Sequence, residues 1–119
     1  MNVAVHIDDD VARALLPIKA TLGFYIGGMG AKTRNFHTDL MARMGYEEEA
    51  HRIQDLFFAG KREEAILAVP DAFADEIALV GPKERIAERL EAWRATPVTT
   101  LMVGSQDPDV LRLLADLTR

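Results

Sequence analysis

Residues 2–10 read NVAVHIDDD, an alternating apolar segment followed by three aspartates. Val3, Val5 and Ile7 alternate with small or polar residues, which is typical of a β-strand with one apolar face. The aspartates stand where a helix begins, and carboxylates at that position cap and stabilise a helix N-terminus. Binding of a hard cation by the same carboxylates is the less favoured alternative. The stretch therefore predicts a strand that leads into a capped helix.

Helical periodicity dominates the rest of the chain. Apolar residues recur at three- and four-residue spacing over 10–26, where Pro17 is expected to kink or split the helix and the following glycines to end it. Further helices follow, about six in all, and one of them is predicted over 73–80. The apolar face of the second helix, expected to join the core, consists of Phe36, Leu40, Met41 and Met44. A later helix places Ile86, Leu90 and Trp93 on one face, which predicts a largely buried indole.

A second strand is predicted over 99–103, TTLMV, because it is rich in β-branched and apolar residues. The helices between the two strands make a crossover, so the strands should be parallel and adjacent. The predicted fold is a mainly helical α/β fold, one domain over 1–119, with two short parallel strands at 2–7 and 99–103. Such a sheet leaves both edges open and its apolar faces (Val3, Val5, Ile7; Leu101, Val103) poorly covered, so a homo-oligomer, most simply a dimer, is expected.

Composition excludes several classes of function. The 119 residues carry 14 Lys and Arg against 19 Asp and Glu, a net charge of -5. This is not the basic footprint of a nucleic-acid-binding protein. Cysteine is absent, which removes disulfides and cysteine-based zinc sites. No apolar run is long enough to span a membrane and no secretory signal is expected, so the expected compartment is the cytoplasm. The length also excludes a complete (β/α)8 barrel, which needs about 250 residues.

A glycine-rich loop is the strongest candidate site. Residues 27–33 read GGMGAKT, but Ile26 and Ala31 stand where a nucleotide-binding P-loop needs glycine. Two alternatives remain open: a turn whose glycines allow positive φ or close packing, and an anion-binding loop beside a helix N-terminus. A serine after the second strand also lies where ligands bind in α/β sheets. The candidate substrate- or anion-binding residues are Gly28, Gly30, Lys32, Arg34, Asn35, His37 and Ser105. No catalytic or metal-ligating residue is assigned.

Five stretches together resemble a known family: VAVHIDDD, YIGGMGAKTRNF, GYEEEAHRIQDLFFAGKREEA, VPDAFADEIALVGPKERIAERLEAW and VTTLMVG. They are similar to the C-terminal part of the bacterial luciferase-like monooxygenase family, especially its branch that uses the deazaflavin coenzyme F-420. The resemblance covers nearly the whole chain. YIGGMG, NF and IQDL are its more specific elements.

The resemblance implies that the chain is part of a (β/α)8 barrel, with 2–7 as the seventh strand and 99–103 as the eighth. The full enzyme would use F-420 or FMN to move a hydride to or from an organic substrate. This part would close the barrel and form the substrate mouth near 27–37, beside a missing N-terminal barrel half. Alone, it is expected neither to bind the cofactor tightly nor to be active. The alternative is a small, non-catalytic helical interaction or dimerisation module.

Overall fold

A computed structural model describes the whole chain, Met1–Arg119, as two compact units. The first contains residues 1–15 and 75–119, and the second contains residues 16–74. The elements are β1 (Asn2–Ile7), α1 (Val11–Gly28), α2 (Phe36–Met41), α3 (Glu47–Phe58), α4 (Arg62–Leu67), α5 (Asp71–Glu76), β2 (Ala78–Gly81), α6 (Lys83–Arg94), β3 (Met102–Val103) and α7 (Pro108–Leu117). A π-helical segment, Ala42–Tyr46, joins α2 to α3. The predicted class, a mainly helical α/β fold with a small parallel sheet, is confirmed.

The first unit is built on a three-stranded parallel sheet in the order β2-β1-β3. Val3 of β1 lies opposite Val103 of β3, so the predicted parallel pairing of the two terminal strands is confirmed, although β3 is only two residues long. The third strand, β2, corrects the predicted helix over 73–80. Helix α5 ends at Glu76, and all four residues of β2 are buried. A short apolar run fits a buried strand as well as a helix, so periodicity alone cannot separate the two.

One face of the sheet packs against α6 and α7. Its core includes Val3 and Val5, each 4% exposed, together with Leu79, Ile86, Leu90 and Val110. The expectation that the apolar face of β1 lacks cover is therefore wrong, because the chain's own helices supply that cover. The opposite face of β1 is exposed at Asn2, Ala4 and His6. Since β1 is the central strand, the open edge next to it belongs to β3, where Met102 is 57% exposed.

An arginine side chain covers the outer edge of β2. The carbonyl of Gly81 accepts from Asp8 N of the segment after β1, so the carbonyl of Val80 points the other way. Arg85 donates to that Val80 carbonyl at 2.6 Å and to both carboxylate oxygens of Asp75 at 2.8 and 3.0 Å. The hydrogen bond with Asp75 raises the pKa of Arg85 above its usual value. An edge carbonyl that already has a partner is a poor template for another strand.

The second unit has its own core, formed mainly by Ile26, Met41, Ala50, Ile53, Ala65 and Val69. α1 is not split at Pro17 and continues through Gly28, two residues past the predicted end. The predicted apolar face of α2 is largely wrong: Met41 is fully buried, but Phe36 is 65% exposed and Leu40 and Met44 are also exposed. α2 has only six residues, and Gly45 leaves the helical conformation at φ 99°. The buried residues of α2 are Thr38 and Met41, which share one face of the helix, so Phe36 and Leu40 lie on the opposite, exposed face.

Trp93 is only half-buried, although Ile86 and Leu90 on the same helix face are buried. The indole packs against the core of the first unit but also lines two cavities, of about 400 and 240 Å³. We therefore expect Trp93→Ala to lower the free energy of unfolding by about 2 kcal/mol, less than the roughly 3–5 kcal/mol typical of a fully packed aromatic residue. Urea unfolding of the wild type and the variant measures this change in the free energy of unfolding. A cost at or above the upper value contradicts the half-buried placement.

Candidate functional site

The glycine-rich segment begins where α1 packs on an aromatic ring. A β-carbon at Gly27 would lie 2.6 Å from Cβ and 2.7 Å from Cγ of Phe57, and one at Gly28 would lie 2.5 Å from Cζ of the same ring. Real β-carbons do not approach other atoms so closely. Neither glycine has a positive φ. Of the two roles considered for these glycines, close packing is therefore the one present, and Gly28 serves as a contact surface for Phe57.

Asn35 joins the end of α1 to the beginning of α2. Its buried Nδ2 donates to the carbonyls of Tyr25 and Ile26 at 3.1 and 2.9 Å. Its Oδ1 accepts from the backbone N–H groups of His37 and Thr38 at 2.9 and 3.3 Å. Both amide hydrogens and the carbonyl oxygen are thus in use. Asn35 holds the loop in shape, and its side chain has no free donor for a ligand.

Gly30 stands at the closest backbone approach in this loop. A β-carbon there would lie 2.7 Å from the carbonyl oxygen of Arg34 and 3.0 Å from Cβ of Asn35. The turn is closed by a 3.0 Å hydrogen bond from Arg34 N to Ala31 O. Only a residue without a side chain fits inside so tight a turn. Gly30 therefore allows the tight turn that contains Lys32 and ends at Arg34.

The backbone N–H groups that an anion-binding loop would use are already occupied. The N–H groups of His37 and Thr38 are capped by Asn35, and α2 is only six residues long. Lys32 is exposed but forms a 3.0 Å ion pair with Asp55. Arg34 is exposed and its guanidinium makes no ion pair or hydrogen bond. The cation available to a ligand in this loop is therefore Arg34.

Four rings, two of them within three residues of Arg34, form a partly exposed surface that we call the aromatic patch: Phe24, Tyr25, Phe36 and His37. The His37 ring lies 4.8 Å from Tyr25 and 5.4 Å from Phe36, centroid to centroid, and Phe24 meets Tyr25 edge-on at 5.8 Å. Phe24 is 51% and Phe36 65% exposed. Aromatic rings that contact one another but remain exposed to solvent are typical of a binding surface for an apolar or aromatic molecule.

Sequence reasoning found His37 but missed the other three rings. The helical pattern predicts a core position for Phe36 and no site role for Phe24 or Tyr25. The signal for them was local: two aromatic residues stand one residue before the glycine pair, and another follows the buried Asn35 directly. A ring next to a residue that fixes the backbone has little freedom to turn inward.

The carboxyl ends of the strands in the first unit carry a separate group of polar residues. Asp10 Oδ1 accepts from Arg13 N, which confirms helix capping by the acidic run. Asp8 accepts from the Arg13 guanidinium at 2.6 and 2.7 Å. Ser105 Oγ accepts from Asp107 N at 3.1 Å, in the turn that leads into α7. Of the seven candidate residues, Ser105 alone belongs to this unit, and the other six lie in the second unit.

The Asp8–Arg13 pair makes a prediction about pH. Hydrogen bonds from the Arg13 side chain hold the pKa of Asp8 at about 2, below its usual value of 3.8. A depressed native pKa means that the pair stabilises the fold above pH 3.8 and that this contribution is lost as the pH falls through about 2.

We expect Arg13→Met to raise the titration midpoint of the Asp8 carboxyl carbon towards 3.8, measured by NMR. The matched variant Arg112→Met, which removes an exposed pair with Asp109, should leave it unchanged. An Asp8 midpoint that is the same in both variants contradicts this assignment.

None of the helices combines the length and the apolar character required to cross a lipid bilayer.

Comparison with known proteins gives two significant similarities. The model of the luciferase-like monooxygenase family matches residues 1–100. A Mycobacterium tuberculosis protein, named as a coenzyme F-420-dependent oxidoreductase, is 37% identical over 113 residues, which is 95% of this chain but 33% of that protein. The chain thus spans about a third of the length of this relative. No solved structure matches significantly. Because the family model covers most of the chain, including β1, the glycine-rich loop and β2, this protein belongs to the luciferase-like monooxygenase family.

Proposed function

We propose that the chain is the C-terminal part of a luciferase-like oxidoreductase that uses F-420 or a flavin, and that it contributes barrel closure and the substrate mouth. The observation that carries the proposal is the uncovered face of β1. Helices cover Val3 and Val5, whereas Asn2, Ala4 and His6 are exposed. In a (β/α)8 barrel, every second residue of a strand points inward, and these side chains fill the barrel interior. An exposed inner face is what a barrel segment presents before its other strands are in place.

The aromatic patch is the part of this chain best suited to contact substrate. Its rings offer apolar surface, and Arg34 adds an unpaired positive charge close by in sequence. An organic substrate with an apolar body and an anionic or polar end matches that combination. Asn35 and the glycines act by holding the rings in place.

The aromatic patch does not fit the deazaflavin or flavin ring itself. A large planar ring is normally buried in an enclosed pocket, whereas the aromatic patch is an open surface with rings more than half exposed. The second unit also has a cavity of about 350 Å³, but its lining includes Glu64 and Arg52 beside only a few apolar side chains. We therefore assign the cofactor ring to the missing part of the barrel, and no catalytic step to this chain alone.

The proposal has a structural requirement at β2. In a closed barrel, the strand that precedes β1 in sequence would lie next to it, on the side away from β3. β2 occupies that side over residues 4–7. Assembly therefore requires β2 to separate from β1, which would break the hydrogen bond from Asp8 N to Gly81 O. A change in the hydrogen-exchange rate at Asp8 N–H between the short chain and the assembled protein is the expected sign of this rearrangement.

The proposed partner is the missing N-terminal barrel half, and in its absence a second copy of this chain. The uncovered face of β1 and the β3 edge at Met102 are the surfaces available for either contact. A specific contact should bury more than roughly 1,000 Å² in total. We propose the cytoplasm as the compartment, since a cysteine-free chain of an F-420- or flavin-dependent enzyme needs no oxidising environment.

The proposal can be tested with a chimera. The matching C-terminal third of the Mycobacterium tuberculosis relative is replaced by this chain, and F-420 binding is followed by the fluorescence of the deazaflavin. We expect saturable binding by the chimera and no saturable binding or turnover by the 119-residue chain. The relative truncated before the graft serves as the control. Turnover by the purified short chain, after exclusion of contaminating enzyme, contradicts the proposal. Light scattering on the same samples shows whether the short chain forms a dimer.

A further inference from the structure

The second unit contains an open cavity of about 350 Å³ between α3 and α4, which we call the α3–α4 groove. The proposed function does not use it. Its walls are formed by Arg52 and Leu56 of α3 and by Glu64, Leu67 and Ala68 of α4 and its C-terminal end. Residues three or four apart lie on the same face of a helix. One face of each helix therefore forms the groove.

The wall of the α3–α4 groove carries one positive and one negative charge, and neither is paired. Arg52 and Glu64 are both exposed, so a molecule in the groove can contact either group. Their side chains form no ion pair with each other or with any other residue. Asp55, three residues after Arg52, is held instead in the ion pair with Lys32. The groove thus presents a free guanidinium and a free carboxylate.

The two charges lie at different heights of the groove. α3 and α4 are joined by the three residues 59–61, a connection typical of two antiparallel helices. Arg52 stands eight residues before Gly60, whereas Glu64 stands four residues after it. At about 1.5 Å per residue, the two backbone positions are offset by about 6 Å along the groove. This offset accounts for the absence of a direct ion pair and leaves room for a molecule that carries two charges.

The rest of the wall is aliphatic. Leu56 is half-buried, and Leu67 is 65% exposed although it is a large apolar residue. A ligand side chain that covers these leucines removes apolar surface from water, which favours binding. No aromatic ring lines the groove, so a branched aliphatic group suits it better than a flat one.

We propose that the α3–α4 groove binds a zwitterion with an aliphatic side chain, the chemistry of an aliphatic α-amino acid. The Arg52 guanidinium donates to the carboxylate of the ligand, and the Glu64 carboxylate accepts from its ammonium group. The aliphatic group packs on the two leucines. A cavity of about 350 Å³ lies within the range of small-molecule sites, about 300–1,000 Å³. The site uses neither the aromatic patch nor the sheet, so it stands or fails independently of the proposed function.

Four matched probes test the proposal on the 119-residue chain, with the methyl signals of Leu56 and Leu67 followed by NMR. L-leucine carries both charges and the side chain. 4-Methylpentanoate lacks the ammonium group, 3-methylbutylamine lacks the carboxylate, and glycine lacks the side chain. We expect L-leucine to shift both sets of methyl signals saturably. Each of the other three probes should bind about tenfold more weakly, because each loses one charged contact or the apolar contact.

Two variants assign the charges. Arg52→Gln should weaken L-leucine binding about tenfold but leave 3-methylbutylamine binding unchanged, because the amine has no carboxylate for Arg52 to contact. Glu64→Gln should weaken L-leucine binding equally but leave 4-methylpentanoate binding unchanged. Both side chains are exposed, so neither substitution is expected to unfold the chain. Arg43→Gln and Glu63→Gln, at exposed positions outside the groove, are the matched controls and should retain full binding.

Three results would each overturn the proposal. The first is the absence of saturable shifts of the Leu56 and Leu67 methyl signals with L-leucine. The second is binding of glycine or of either singly charged probe as tightly as L-leucine. The third is L-leucine binding by Arg52→Gln and Glu64→Gln that equals binding by the two control variants.

Discussion

Replacing Asn35 by Ala is expected to lower the free energy of unfolding by about 3 kcal/mol. The side chain caps α2 by accepting from His37 N and Thr38 N, and loss of an N-cap costs about 1 kcal/mol. It also donates to the carbonyls of Tyr25 and Ile26, and a buried acceptor left without a partner costs about 1–3 kcal/mol. The Ile26 carbonyl keeps one bond, from Thr38 Oγ1 at 2.8 Å, so its loss is the smaller of the two.

Two further variants separate these contributions, with urea unfolding as the measurement. Asn35→Ser retains a hydroxyl that can cap α2 but cannot donate to both α1 carbonyls, so its cost should fall between wild type and Asn35→Ala. Asn2→Ala, at an exposed position of β1, should change the stability by no more than about 0.5 kcal/mol. If Asn35→Ala lowered the free energy of unfolding no more than Asn2→Ala does, the side chain of Asn35 would not be what holds α1 and α2 together.

The sheet shows which features of the fold are readable from the sequence. β1 was predicted with its observed bounds because Val3, Val5 and Ile7 face one way and helices cover them. The parallel pairing with β3 followed from the crossover rule, which depends on chain order alone. β2 was not predicted because every residue from Ala78 to Gly81 is buried. A strand buried on both faces loses the alternation that identifies a strand.

The residues of the candidate site around the glycine-rich loop lie in one unit of the structure, but their contacts could not be predicted from the sequence. The glycine-rich loop, Asn35 and His37 do lie together in the second unit, as their closeness in sequence requires. The roles differ because they depend on partners distant in the chain: Phe57 determines why Gly27 and Gly28 are glycines, and Asp55 neutralises Lys32. Neither contact has a local signal. The exposure of Phe36 follows from which face of α2 is buried, and that face is formed by Thr38 and Met41.

Gly27→Ala is expected to destabilise the chain by about 3 kcal/mol, because the new methyl group overlaps Phe57 in a packed interior. The β-carbon would lie 2.6 Å from Cβ and 2.7 Å from Cγ of Phe57. Cβ is bonded directly to the α3 backbone, so rotation of the side chain moves Cγ but cannot relieve the contact with Cβ. Gly104→Ala is the matched control: its β-carbon meets no atom within 4 Å and its φ is not positive, so its stability should change by no more than about 0.5 kcal/mol.

A double-mutant cycle with Phe57→Ala tests whether that ring is the cause. In the Phe57→Ala background the overlap is gone, and alanine favours a helix over glycine by about 1 kcal/mol, so Gly27→Ala should become neutral or stabilising. The two changes should therefore be coupled by about 3 kcal/mol, at the upper end of the range of about 0.5–3 kcal/mol for residues in contact. If Gly27→Ala alone prevents folding, the cycle remains informative, because the effect of Gly27→Ala on stability can be measured in the Phe57→Ala chain. Equal costs in both backgrounds would mean that Phe57 does not pack on the glycine pair. In that case the arrangement of the aromatic patch, where Phe24 lies 6.3 Å from Phe57, would lose its support from α3.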